Sequence, residues 1–190
     1  MATIWLLVFA QCFFQPPPAS LPFGVPPQRG EILINELMIN PGALADRDGE
    51  YIELWNVAPH PVQLLGLVVR DERRDWCPID VPLLIQPGEY LVLLGAGTLW
   101  PEADVLNSYI CPERNLTLAN KSDAVVLDWY GEILDDVVWQ GKAWRVPSGA
   151  SLELDPMCAD DAVNDNPGAW FPAVSQMKSG DKGTPGRRNR

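Results

Sequence analysis

From residue 31 onward the chain sets short apolar runs between turn signals. EILINELMI (31–39) is rich in β-branched residues and stops at Asn40-Pro41-Gly42, a turn signature. GEYIELWN (49–56) alternates, with Ile52 and Leu54 on one face and Tyr51, Glu53 and Trp55 on the other. VQLLGLVVRD (62–71) follows, and its Gly66 predicts a bulge or a close backbone approach. EYLVLLG (89–95) comes after the turn Pro87-Gly88, and NLTL (115–118) is a short run. DAVVLDWYGEILDDVVW (123–139) predicts a hairpin turning near Tyr130-Gly131, and ASLELD (150–155) is the last clear strand.

No window holds apolar residues at helical spacing for three turns. The 19 prolines and 15 glycines concentrate between the runs. Eight or nine strands spaced by roughly ten residues predict an all-β antiparallel sandwich or barrel.

The N-terminus has a different character. Residues 1–14, MATIWLLVFAQCFF, are too short to span a bilayer as a helix and fit the apolar region of a secretory signal peptide. No Lys or Arg precedes the run, so the positive end rests on the terminal amine. Val8 with Ala10 or Ala10 with Cys12 would satisfy the cleavage pattern, and lipid modification at Cys12 is a third option. A disordered apolar N-terminus or a wrong start codon is the alternative reading. Residues 15–30 are proline-rich and read as an extended linker between export signal and domain. The expected location is therefore secreted, extracellular or at the cell surface, with residues 31–190 as one domain.

Charge and cysteines narrow the class further. The formal net charge is −11. Residues 31–166 carry a net −16, whereas residues 167–190 carry +4 through Lys178, Lys182, Arg187, Arg188 and Arg190 against one acid. The acidity argues against a nucleic-acid binder, which needs clustered bases. The basic C-terminal tail reads as solvated, or as lying against its own acidic domain; contact with nucleic acid or an anionic surface is the alternative. Cys12 leaves with the signal, so Cys77, Cys111 and Cys158 allow at most one internal disulfide. Cys77 and Cys111 both sit in loop-like segments beside strands and are the favoured pair, with three unpaired thiols as the alternative. There is no C-x-x-C motif of the redox or zinc kind.

The order of the segments resembles a lamin tail domain. INE (34–36), GEYIELWN (49–56) and VQLLGLVVRD (62–71) are similar to its opening, and PGEYLVLLG (87–95) to its next strand. LTLANKSDAVVLDWYGEILDDVVW (116–139) resembles its central hairpin; SLELDP (151–156), Trp170 and GTPG (183–186) resemble its end. No single piece is specific, but the ordered series is, and it covers about residues 31–190. The resemblance implies an immunoglobulin-like antiparallel β-sandwich. It also implies a bacterial-type exported member, since such members are commonly exported alone or attached to surface proteins and secreted hydrolases. Nuclear lamins carry the domain after a long coiled coil. Here no heptads precede it, so neither a filament-forming lamin nor the animal domain's nuclear partners are expected. Leu67 stands where the family often has Trp, and the 72–82 loop departs from the pattern; both bear on local packing.

Candidate chemistry is sparse. Asp46, Asp48 and Glu50 in ADRDGEY could offer hard oxygen ligands to Ca²⁺, although the spacing is not that of an EF-hand. A charged, solvated turn is the competing reading. Asp155, Asp160, Asp161, Asn164, Asp165 and Asn166 form a second acidic loop, whose Asp and Asn residues are equally ordinary turn formers. Glu36 and Glu53 lie on adjacent early strands and could meet as a carboxylate pair of the glycosidase kind; bonding to backbone or polar partners is the simpler role. The single histidine, His60, lies between two prolines, and no G-x-S-x-G surrounds a serine. Leu94-Gly95-Ala96-Gly97 has no following helix to cradle a phosphate. Trp55, Trp129, Trp139, Trp144 and Trp170 could line a sugar- or protein-binding row, but in a domain this size they should mostly fill the core or cover sheet edges. Asn115 and Asn120 match glycosylation acceptors.

The expectation is a non-enzymatic exported binding or structural module with no cofactor. Its partner would be a protein or cell-envelope component. A calcium-stabilised module is the main alternative, and nucleic-acid contact through the tail a lesser one.

Overall fold

The computed structural model describes residues 24–71, 75–95, 107–112 and 116–190. The signal segment 1–14, much of the 15–30 linker, Ala96, Gly97 and Asn115 lie outside the described residues.

Two sheets stack face to face. The larger has the order β12-β11-β1-β2-β7-β8 and the smaller β10-β9-β4-β5, while β3 and β6 form a separate pair. The strands are β1 (Ile32–Met38), β2 (Tyr51–Asn56), β3 (Val62–Gln63), β4 (Leu67–Arg70), β5 (Trp76–Pro78), β6 (Leu84–Ile85), β7 (Tyr90–Leu94), β8 (Ser108–Ile110), β9 (Ser122–Trp129), β10 (Glu132–Gln140), β11 (Leu152–Leu154) and β12 (Trp170–Pro172). This is the all-β sandwich that the alternation predicts. It has more strands than expected, because several of them are too short for a period to show. Among the described strands β7 and β8 pair in parallel, where only antiparallel pairs were expected. The run 116–118 forms no strand, but Leu116 and Leu118 still drop into the core.

The core lies between the sheets. Ile32, Ile34, Ile52, Leu54, Leu91 and Leu93 from one side meet Val69, Val125, Leu127, Leu134, Val137 and Trp139 from the other. Trp139 is fully buried and donates its ring N–H to the Ala119 carbonyl, so its one polar atom is satisfied. The central hairpin turns through Tyr130 and Gly131, both at positive φ (52° and 89°), as a two-residue turn between twisted strands requires. Gly66, between β3 and β4, is at φ 92°, and the Tyr130 ring lies flush over its Cα. That is the close approach its position in the run predicted.

All seven residues of β1 are buried, so its outer face is covered too. The cover is the C-terminal segment. Ser175, Met177, Asp181, Thr184 and Asn189 are buried, whereas Lys178, Lys182, Arg187, Arg188 and Arg190 point outward. The basic tail lies against its own acidic domain, while its basic side chains stay exposed. It does so as a strap with buried anchors. Met177 joins Met38, Tyr51, Val92 and Leu94 in a second, smaller apolar cluster beneath it. At the other end, part of the 15–30 segment is also docked: Val25 bridges Val62, and the Gly30 N–H donates to the Leu134 carbonyl.

Candidate functional site

The most unusual chemistry lies under the strap. Glu36 on β1 faces Glu53 on β2 and Glu153 on β11 directly across the ladder, which places three acids in a row on the sheet's outer face. All three are buried. Like charges directly opposite on a sheet repel, and a buried carboxylate needs donors or a proton.

The donors come from four segments. Glu36 Oε1 accepts from Tyr51 Oη (2.5 Å), Ser151 Oγ (2.5 Å) and the Thr184 N–H (2.9 Å). Glu53 accepts from Asn35 Nδ2 at 2.7 Å and from the Gly186 N–H at 2.5 Å. Thr184 Oγ1 lies 2.7 Å from Glu153 Oε1, 3.2 Å from Glu36 Oε2 and 3.1 Å from Asn189 Oδ1. Asn189 is fixed in turn, because its Nδ2 donates to the Asn35 and Leu154 carbonyls, both at 2.9 Å. Burial pushes the Glu36 carboxyl up to about 7 despite these donors, and pushes Glu53 well above the usual carboxylate range, with Glu36 adding to the shift. The ion pairs Arg29–Asp161, Arg47–Asp48 and Arg70–Asp128 and the His60–Glu31 contact all lie elsewhere.

Glu36 and Glu53 therefore do meet, as their adjacent strands suggested. They meet in the interior and bond to backbone and polar side chains, the simpler of the two roles considered. Sequence reasoning missed Glu153, Thr184 and Asn189. One signal was available for Glu153: it alternates with the core residues Leu152 and Leu154 and so had to share the face of Glu36.

Asp46, Asp48 and Glu50 are not brought together as a ligand set. Asp46–Gly49 forms a single helical turn, and Asp48 pairs with Arg47 on the surface. Glu50 turns inward and accepts the Leu118 N–H at 3.2 Å. Its burial, with Asp46, Asp75 and Asp123 nearby, pushes it up to about 8. The second acidic loop caps turns. Asp155 accepts from the Met157 N–H, Asp160 from the Ala162 N–H, and Asn166 from the Gly168 N–H. Among the described residues, no group of three His, Cys, Asp or Glu is placed to hold a metal ion. A further buried acid, Asp135, went unnoticed in the sequence. It accepts the Ile34 N–H at 2.7 Å and the Asn164 amide, and burial raises it to about 8.

The aromatic residues divide as expected. Trp139, Trp144 and Trp170 are core, while Trp55 stacks on Tyr90 at 5.9 Å and Trp129 donates to the Leu65 carbonyl. Trp76 is half exposed beside the Cys77–Cys111 disulfide, which joins β5 to the end of β8, and Cys158 is free. The favoured cysteine pair is thus the one formed. A shallow groove open to solvent lies between Ile52, Val69, Asp71, Thr117 and Val125. His60 bonds Glu31 at 3.0 Å.

Two stacked, mainly antiparallel sheets with an acid row sealed beneath a C-terminal strap define an immunoglobulin-like β-sandwich. The sequence profile of the Lamin Tail Domain family matches residues 26–141, and the chain belongs to that family. No curated protein matches the chain. The matched segment ends at the close of β10, yet β11 and β12 complete the larger sheet, and Ser151, Glu153 and the strap residues Thr184 and Asn189 beyond it build the acid row.

Proposed function

We propose that this protein is a non-enzymatic binding or structural module acting outside the cell or at its surface, on a protein or cell-envelope partner. The observation that carries this reading is where the raised carboxyls point. Glu36, Glu53, Glu50 and Asp135 are each turned onto backbone amides or polar side chains inside the fold. A general acid or nucleophile has to reach a substrate, and these four are committed to holding strands and loops together. The Cys77–Cys111 disulfide favours an oxidising compartment and so supports export. Among the described residues, no helix is long and apolar enough to cross a membrane.

The test has two arms. The full chain, expressed in its producing organism with a C-terminal tag, should be recovered from the medium or envelope with residues 1–14 removed. Recovery of the unprocessed chain from the cytosol would end the export reading. Purified protein should leave glycosidic, ester and phosphodiester substrates intact. Turnover abolished by Glu36→Gln or Glu53→Gln would end the non-enzymatic reading.

A further inference from the structure

The strap meets the acid row at Thr184. Thr184 Oγ1 has a single hydrogen and faces three oxygens, on Glu36, Glu153 and Asn189. The Asn189 amide cannot be turned to donate there, because its Nδ2 is already engaged by the Asn35 and Leu154 carbonyls. If the hydroxyl gives its hydrogen to Glu153, the contact with Glu36 Oε2 is a hydrogen bond only when that carboxyl carries a proton. If it gives the hydrogen to Glu36, Glu153 must supply one instead. The closed arrangement is therefore complete only with at least one proton in the acid row.

We propose that residues 175–189 form a proton-retained latch, closed over Glu36, Glu53 and Glu153 while the row holds a proton and released when it ionises. In the open strap the three carboxyls face water, where their charged forms are solvated and repel one another along the ladder. In the closed strap the ionised row would be buried and short of donors. Opening thus releases protons, and rising pH drives it.

The surrounding groups agree with this assignment. From β2, Tyr51 donates to Glu36 and remains protonated, its pKa raised by burial and by Glu36. From β7, Tyr90 is raised to about 12 by burial first and Glu53 second, with Arg188 opposing. On the strap, Asp181 is turned away to the Gly42 and Ala43 amides, and Arg187 reaches the Gly183 carbonyl. Within the row, Glu36 sits at about 7 and Glu53 is raised as well. These directions place release above the usual carboxylate range. Release uncovers Met38, Tyr51, Val92 and Leu94.

Hydrogen exchange of the full chain between pH 5 and 9, corrected for intrinsic rates, tests the latch. Protection of the peptide containing Thr184 and Gly186 should fall about tenfold per pH unit for each proton released, while peptides from the β9–β10 hairpin stay more protected. Glu36→Gln, which keeps a neutral group with a donor, should flatten the slope by about one proton and keep the strap closed at high pH. Equal corrected protection at pH 5 and 9, or strap and hairpin falling in parallel, would overturn the latch. The wild-type profile alone can support or overturn it, so a variant that does not fold leaves the test intact.

Discussion

Glu36 and Glu53 stand directly opposite each other on β1 and β2, both fully buried, where two carboxylates would repel at the closest spacing a sheet offers. Burial and their mutual repulsion push both carboxyls upward, which favours their protonated forms. This gives the first prediction, a stability that declines as pH rises. Glu36, Glu50 and Asp135 titrate in the fold near 7, 8 and 8, against 4.5, 4.5 and 3.8 as free groups. Between about pH 4 and 8 the native state therefore binds protons that the unfolded chain has lost, and ΔG of unfolding falls with pH. The stability they contribute is complete below about pH 4 and gone above about pH 8. Urea midpoints should be higher at pH 5 than at pH 8; a higher midpoint at pH 8 would contradict the assignment.

Asp135 offers a sharper local test. Its carboxyl satisfies the Ile34 N–H where β1 shifts register, and it holds Asn164 in the loop that carries the Trp170 ring bond. Asp135→Ala leaves a buried N–H and an amide without partners, at a cost of about 2–4 kcal/mol. Asp135→Asn keeps the shape and should cost less as pH rises, because the wild-type aspartate is itself losing its proton. Chemical denaturation of both variants at pH 5.5 and 8 checks the order.

Much of this architecture was readable from alternation. Ile52 and Leu54 against Tyr51 and Glu53 placed β2 correctly, and Tyr130-Gly131 placed the hairpin. β3, β5, β6, β8 and β12 have two or three residues each, and a period of two has no room to show in so few. The strap was hidden for a different reason. Its anchors on the acid row include the backbone N–H groups of Thr184 and Gly186, which any residue but proline possesses, and the partner of Thr184 is 148 positions away. Its visible feature was its exposed basic side chains, which carry no sign of the buried anchors between them. Those bases can be probed while Thr184, Gly186 and Asn189 are kept. Arg187→Glu with Arg188→Glu tests contact with anionic partners, whereas deleting the segment would also uncover the acid row.

The cysteine bridge should carry a measurable share of the stability. Cys77 and Cys111 are 34 residues apart in sequence and fully buried, and they tie the edge of the smaller sheet to the end of β8. Constraining a loop of that length in the unfolded chain is worth about 2–4 kcal/mol. Cys77→Ser should lower the urea midpoint accordingly, and wild type under reducing conditions should match it. Non-reducing peptide mapping should return the 77–111 pair with Cys158 alkylated.

Gly183 is where the strap comes closest to the acid row, and a methyl group there would collide with Tyr51 Oη, Glu36 Oε1 and Met177 Sδ. Two of these belong to the sheet and to a hydrogen bond that is already short, so they have little room to yield. Gly183→Ala should therefore lift the strap and leave the main core intact. Its signature would be lost exchange protection at Thr184 and Gly186, a stability lowered by about 1–3 kcal/mol, and unchanged protection of the β9–β10 hairpin. Gly88→Ala is the matching control. Gly88 has a positive φ of 76°, but a Cβ there meets nothing within 4 Å, so only backbone strain of about 1–2 kcal/mol should appear and the strap should stay closed. If Gly183→Ala leaves the strap amides as protected as in wild type, the packing of the strap against Tyr51 is wrong.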